Sequence, residues 1–201
     1  FAGNTIEFAQ ASLTTVVDSP VIMGAHFKVV PLQQGKMPPH ELNVAADSVT
    51  VTQCQVQGFD AGILTTRYGT QALGNVLTHN GEGIRIAGAT GDTLSGNTAN
   101  LNNRWGIIVA EGASGNTVSG NTANNNGIIG IALNATSYDA FSNNTADHNG
   151  SDGINLLASS NNQLANNTAN SNGNAGFDLQ TSSSQNTLGG NVANNNGAPG
   201  N

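Results

Sequence analysis

The sequence repeats with a period of about 23 residues, and that period limits what the chain can fold into more than any other feature. Segments starting at Asp92, Asn116, Asp139, Asn162 and Asn186 read DTLSGNTANLNNRWGIIV, NTVSGNTANNNGIIGIAL, DAFSNNTADHNGSDGINL, NQLANNTANSNGNAGFDL and NTLGGNVANNNGAPG. Their first apolar residues, Leu94, Val118, Phe141, Leu164 and Leu188, are spaced by 24, 23, 23 and 24 residues. Earlier copies, at spacings of 21 and 22, run through Val51, Cys54, Val56, Ile63 and Thr65 and then Ala72, Asn75, Leu77, Ile84 and Ile86. Six full units and a truncated seventh lie between about residue 49 and the C-terminus.

Inside each unit the apolar residues alternate with others. Ile131 and Leu133 flank Ala132, Ile154 and Leu156 flank Asn155, and Phe177 and Leu179 flank Asp178. A period of two over a short run predicts a strand with one buried face. Gly62, Gly83, Gly106, Gly130, Gly153, Gly176 and Gly200 each precede the inward residue, which calls for either a positive φ or a close backbone approach. Two or three short strands fill the unit and leave no room for a helix. The expected fold is all-β: a parallel β-solenoid of about seven to nine coils of 21–24 residues.

Asparagine, 31 residues of 201, has a place in this scheme. One column runs Asn75, Asn97, Asn121, Asn144, Asn167 and Asn191, headed by Cys54. A second runs Asn80, Asn102, Asn126, Asn149, Asn172 and Asn196. A third follows Thr78 through Asn100, Asn124, Asp147, Asn170 and Asn194. Coils about 4.8 Å apart bring equal positions within reach, so stacked amides can bond up and down the column. A buried amide is costly unless paired, and a ladder pairs it. These residues are read as structural.

Composition excludes several functions. With 5 Lys+Arg against 12 Asp+Glu, a formal charge of −7, no phosphate-binding face and no nucleic-acid partner is expected. No apolar run approaches the roughly 18 residues of a membrane span. The 37% apolar content, periodically placed, argues against disorder. A single cysteine, Cys54, excludes an intrachain disulfide and a Cys-based zinc site. Phe1 opens the chain without a leader pattern, so a processed chain or an excised piece is expected. The sequons at Asn134, Asn143 and Asn166 arise readily by chance in a chain this rich in Asn and Thr.

Asn-Thr-Val-Ser-Gly-Asn-Thr-Ala followed by Gly-Ile-x-Leu resembles the right-handed parallel β-helix repeat of the pectate-lyase-like superfamily. The resemblance covers residues 49 to 201. It implies a right-handed solenoid, an extracellular or cell-surface location, and membership of a group that includes polysaccharide lyases and hydrolases, mannuronan epimerases and phage tail spikes. Residues 1 to 48, with NTIEFAQ, LTTVV, PVIMGA and FKVV, are expected to form an N-terminal cap or irregular first coils. Gln33 to Ser48 is expected to be a surface loop.

By column alignment Asp60, Gly81 and Arg104 share one turn position, and Ala61, Glu82 and Trp105 the next. With His79 just before its turn and Arg85 facing outward, the expected lateral patch is Asp60, His79, Glu82, Arg85 and Arg104, with Trp105 as a sugar platform. An enzyme of this superfamily acting on uronate polymers needs a base, a cation and usually an aromatic surface. Its motifs are incomplete here. Mannuronan epimerases carry Tyr-Gly-Phe-Asp-Pro-His, and the nearest stretch is Gln57-Gly58-Phe59-Asp60-Ala61. No Gly-Gly-x-Gly-x-Asp calcium repeat is present; Asp152 and Asp178 could each touch a calcium ion singly, and no cofactor is expected. The leading functional expectation is an extracellular structural solenoid stacking end to end as a homopolymer, with Ile6, Phe8 and Leu188 at the contact. The alternative is a carbohydrate-active enzyme or a β-helix binding acidic or neutral polysaccharide.

Overall fold

The computed structural model describes residues 5–8, 21–23, 26–29, 41–44 and 47–197. Among them are 20 short strands and no helix. The strands lie in three sheets of five, seven and eight strands, and every pairing is parallel between equivalent positions of successive coils. One coil passes through each sheet in turn. Thr93–Ser95 belongs to the eight-strand sheet, Thr98–Asn100 to the five-strand sheet and Trp105–Ala110 to the seven-strand sheet. The eight-strand sheet takes one strand from each of eight successive levels, of which about six are full turns.

The early segments join the same sheets. Thr5–Phe8 pairs with His26–Val29 in the five-strand sheet, and Val21–Met23 pairs with Thr50–Thr52 in the eight-strand sheet. Glu41–Val44 lies inside the stretch expected to be a loop. It is instead a strand, bonded to Ala61–Thr65 through one register shift.

The interior is filled by columns one coil apart. Val51, Ala72, Leu94, Val118, Phe141 and Leu164 are fully buried in one, and Ile63, Ile84, Ile107, Ile131 and Ile154 in another. Leu188 pairs in register below Leu164, yet it is 42% exposed, because no described coil covers its other side. It therefore departs from the buried column expected of it. Phe177 packs on the core only in part for the same reason.

The recurrent glycine is explained by space rather than by φ. A Cβ on Gly83 would stand 2.4 Å from the Gly106 carbonyl oxygen and 3.0 Å from Asn102 Nδ2. The amide column beside it leaves no room for a methyl group. Positive φ is found elsewhere, at the residue before each corner amide: Gly96, Leu101 and Gly115 in one coil.

A typical corner amide makes four bonds. Asn121 Oδ1 accepts both the backbone N–H and the Nδ2 of Asn97, at 2.9 Å each. Its own Nδ2 donates to the Leu94 carbonyl at 2.9 Å and to Asn144 Oδ1 at 3.0 Å. The second column, Asn80 to Asn172, repeats this up and down the stack. The sequence reading missed a third interior column, Thr70, Asp92, Asn116, Asp139, Asn162 and Asn186, at the remaining corner. The Asn100, Asn124, Asp147 and Asn170 column lies outside, half-buried, starting at the last strand of the five-strand sheet and running on beyond it. There each side-chain oxygen takes the N–H of its neighbour one coil on.

Truncating Phe141 to Ala should cost about 3–5 kcal/mol in chemical denaturation, because the flanking Val118 and Leu164 are held by their own strands and cannot collapse. Replacing Asn144 by Leu should cost about 1–3 kcal/mol, since it orphans the Asn121 N–H and the Val118 carbonyl. An unchanged midpoint for Asn144→Leu would show the column to be dispensable.

Candidate functional site

The seven-strand sheet is where side-chain chemistry gathers. From Ala61–Thr65 to Ile154–Leu157, the inward Ile of each strand follows a glycine whose Cβ position also faces inward, so the residues on either side of the pair face out together. Glu82 and Arg85 therefore stand on one surface three residues apart and bond at 3.2 Å. Register sets Glu82 beside Ala61 and Trp105, and Arg85 beside Leu64 and Ile108.

Five charged groups form one alternating chain. Arg104 Nη2 reaches Asp60 Oδ1 at 2.8 Å and Glu82 Oε1 at 3.2 Å. Arg85 joins Glu82 to Glu111. Glu82, with a side chain only 7% exposed, is the hub. Asp60 and Arg104 are two coils apart and meet across Gly81. A Cβ there would lie 2.8 Å from Asp60 Oδ1 and 3.1 Å from Arg104 Nη2, so glycine clears the path for the pair. Burial works to lower the Arg85 pKa, but the bond to Glu111 and the charge of Glu82 outweigh it and hold the guanidinium more firmly charged than usual.

These groups line an open cleft of about 400 Å³, floored by Ala61, Leu64 and Ala87. That volume lies within the range of small-ligand sites. Beside it Trp105 and Ile129 pack on Ile108, Ala110 and Ala132, making an apolar strip on the same outward surface. Further along the sheet the side chains are amides and acids. Asp152 accepts from Asn174 and Asn155, and Asp178 from Asn155 and Gln180.

The structure brings together Asp60, Glu82, Arg85 and Arg104 and adds Glu111, which sequence reasoning missed. Glu111 directly follows Ala110, which is in register with Ala87, two residues beyond Arg85, so extending the register by one position locates it. His79 is not part of the cleft. It holds φ 57° at a corner, exposed, in the same left-handed column as Leu101 and His148. Its place in the fold is a turn. Trp105 does not line the cleft either, although the Arg104 guanidinium lies 5.9 Å from its ring centroid. Asp152 and Asp178 are engaged by amides, and no group of three metal-ligating side chains occurs among the described residues. The side chains of Ile6 and Phe8 fall outside the described residues, while the strand that carries them pairs within its own chain.

Chemically, the cleft offers both donors and acceptors fixed on a rigid sheet. Among the described residues, every carboxylate that lines it is bonded to an arginine. The arrangement suits recognition of a hydroxyl-rich ligand better than proton abstraction.

The family model for the right handed beta helix region matches residues 42–197. No match is found among curated protein sequences. Solved structures with the same architecture include the A-module of an Azotobacter vinelandii mannuronan C-5 epimerase, at 19% identity and a TM-score of 0.68, covering 84% of this chain and 46% of that one. A periplasmic alginate epimerase aligns at 15% identity and a TM-score of 0.67, covering 84% and 45%. A pectate lyase aligns at 18% identity and 0.63, covering 75% and 46%. The chain thus spans about half the length of these structures, and at such identities the likeness is one of fold.

Glycine has no left-handed penalty, so His79→Gly should raise stability by about 0.5–1 kcal/mol in thermal or chemical denaturation. Loss of stability in that variant would mean that the His79 side chain carries a contact of its own.

Proposed function

This chain belongs to the right-handed β-helix family, and we propose that it binds a polysaccharide on the outward face of its seven-strand sheet. The observation that carries the reading is the Asp60–Arg104–Glu82–Arg85–Glu111 chain, held over an apolar floor and next to an apolar strip. Fixed carboxylates accept from sugar hydroxyls, fixed guanidinium groups donate to them, and the carbon face of a sugar ring lies well on small apolar side chains. Structures of carbohydrate-active β-helix proteins share the scaffold and support the class of ligand.

Charge favours an uncharged sugar chain. Among the described residues, three acids against two arginines leave the cleft one negative charge in excess, within a chain of formal charge −7. A uronate polymer would meet repulsion on approach and would have to displace an existing ion pair. A lyase or epimerase reading takes its support from the shared fold and from Gly58-Phe59-Asp60, which places Asp60 at the cleft. Against it, each carboxylate lining the cleft among the described residues is tied to an arginine.

The end-to-end assembly expected from the sequence draws on Leu188 and Val192, exposed at 42% and 44% on the last described coil. It is the weaker reading, because any further coil would cover the same residues. Sedimentation velocity at increasing concentration separates the two.

Binding is tested by affinity electrophoresis and calorimetry against neutral glucans and mannans beside pectate and alginate. A neutral polymer should be retained with little dependence on salt, and Arg104→Ala should weaken it about tenfold, roughly 1.4 kcal/mol. Preference for the uronates, or release of unsaturated products from them, would replace this reading with the enzymatic one. No retention by any polymer would end it.

A further inference from the structure

The third interior column contains two acids where the other two columns have amides: Asp92 and Asp139, each about 1% exposed. In an amide column the second side-chain atom is a nitrogen that donates to the next coil's oxygen, as Asn116 Nδ2 does to Asp139 Oδ1 at 2.9 Å. At Asp139 the corresponding atom is Oδ2, which is buried and has no partner. The neighbouring Asn162 cannot be turned over to supply an N–H. Its Oδ1 already accepts the Asp139 backbone N–H at 2.9 Å, and that bond would be lost. No amide of the column supplies a donor to Asp139 Oδ2; the donor described beside the carboxyl is the Thr136 hydroxyl of its own loop.

We propose that Asp139 is a neutral carboxylic acid in the folded protein, its Oδ2–H donated to the Asn162 amide oxygen, so that a proton is a structural part of the ladder. Asp92 is the contrasting position: both of its oxygens are satisfied, Oδ1 by the Thr70 N–H and Oδ2 by the Thr65 hydroxyl, both at 2.8 Å. No described positive charge stands against either acid. Asp139 faces Asn116 from the coil before, Asn162 from the coil after, and Thr136 from its own loop, whose buried hydroxyl stands by the carboxyl and opposes part of the effect of burial. Asp92 faces Thr65 and Thr70 from the coil before and Asn116 from the coil after. Tyr138, next to Asp139, and Arg67, between the Thr65 and Thr70 that bond Asp92, are exposed. Burial pushes the Asp139 carboxyl up and raises Asp92 to about 6.

The sign follows from proton counting. Between the ordinary carboxylate pKa and the raised folded value, the native state holds protons that the unfolded chain has released. Stability from this corner is full in acid and falls as the pH rises through that window to above 6. The solenoid is thus clasped by acid and loosened by base. The loop that begins at Glu111, on the rim of the cleft, ends at Asn116, whose grip is on Asp139.

The test is denaturant unfolding from about pH 4 to about pH 8 on the wild type, Asp139→Asn, Asp92→Asn and their double variant. Asp147→Asn, on the outer column, controls for the loss of one charge. The wild-type midpoint should fall with pH. Asp139→Asn should raise it at neutral pH, leave it little changed in acid, and flatten the dependence, while Asp147→Asn should follow the wild type. A lower neutral midpoint for Asp139→Asn, or a slope unaltered in the double variant, would overturn the proposal. Infrared spectroscopy gives an independent reading that does not need the variants to be stable. The carbonyl band of a protonated acid should persist in the wild type at neutral pH, and its absence would equally overturn the assignment.

Discussion

The fold depends on how the chain satisfies its backbone at the corners. Three times per coil it turns sharply, and each turn brings an N–H and a carbonyl inward, away from water. An unpaired buried amide group costs about 1–3 kcal/mol, so a coil with three such corners would not survive alone. A side-chain amide pointing inward cancels the debt on both sides at once, accepting from the coil before and donating to the carbonyl behind it. The residue ahead of the amide must then take a left-handed conformation. That is why Gln53, Leu101 and Tyr138, poor formers of it, hold φ between 54° and 60°. Local strain of this kind persists because the stack over-determines it.

A scaffold satisfied from within leaves its outward positions free to vary. The interior columns alter little from Val51 to Leu164, while the outward column of the seven-strand sheet runs Leu64, Arg85, Ile108, Ala132, Asn155 and Asp178. Charge, apolar surface and amides thus follow one another along one face without disturbing the core. Gly81 shows how fine the control is. A side chain there would wedge between Asp60 and Arg104, so the ion pair depends on an atom that is absent.

Much of this was legible in the residues. A period of 23, alternating apolar positions and columns of Asn announce stacked coils, because only stacking gives identical residues identical neighbours. The third interior column was hidden by its mixed spelling, Thr70, Asp92, Asn116, Asp139, Asn162. A one-letter search for Asn passes over it, although repeats cut at those very residues align cleanly. Column arithmetic placed Asp60, Glu82, Arg85 and Arg104 together, since sequence offset maps onto height along the stack. It failed for His79, because adjacency in sequence does not survive a corner: one residue before the inward amide, the side chain leaves for solvent. Leu188 failed for a different reason. Burial belongs to a pair of coils, and a repeat count gives each coil credit for a neighbour on both sides.

The amide columns and the charged cleft answer to different physical rules, and this separates stability from recognition. Cleft ion pairs with side chains 41% and 42% exposed, as in Arg104 and Asp60, are screened by water and contribute little to folding. The corner amides lie beyond the reach of salt and carry the fold through hydrogen bonds that have no substitute partner. Glu82 stands between the regimes. It is buried like a core residue but tied to two arginines at the surface, so it transmits the rigidity of the sheet to groups that would otherwise move freely. A ligand arriving at the cleft meets donors and acceptors whose ordering entropy was already spent when the coils stacked, which is the condition under which a few polar contacts suffice for binding.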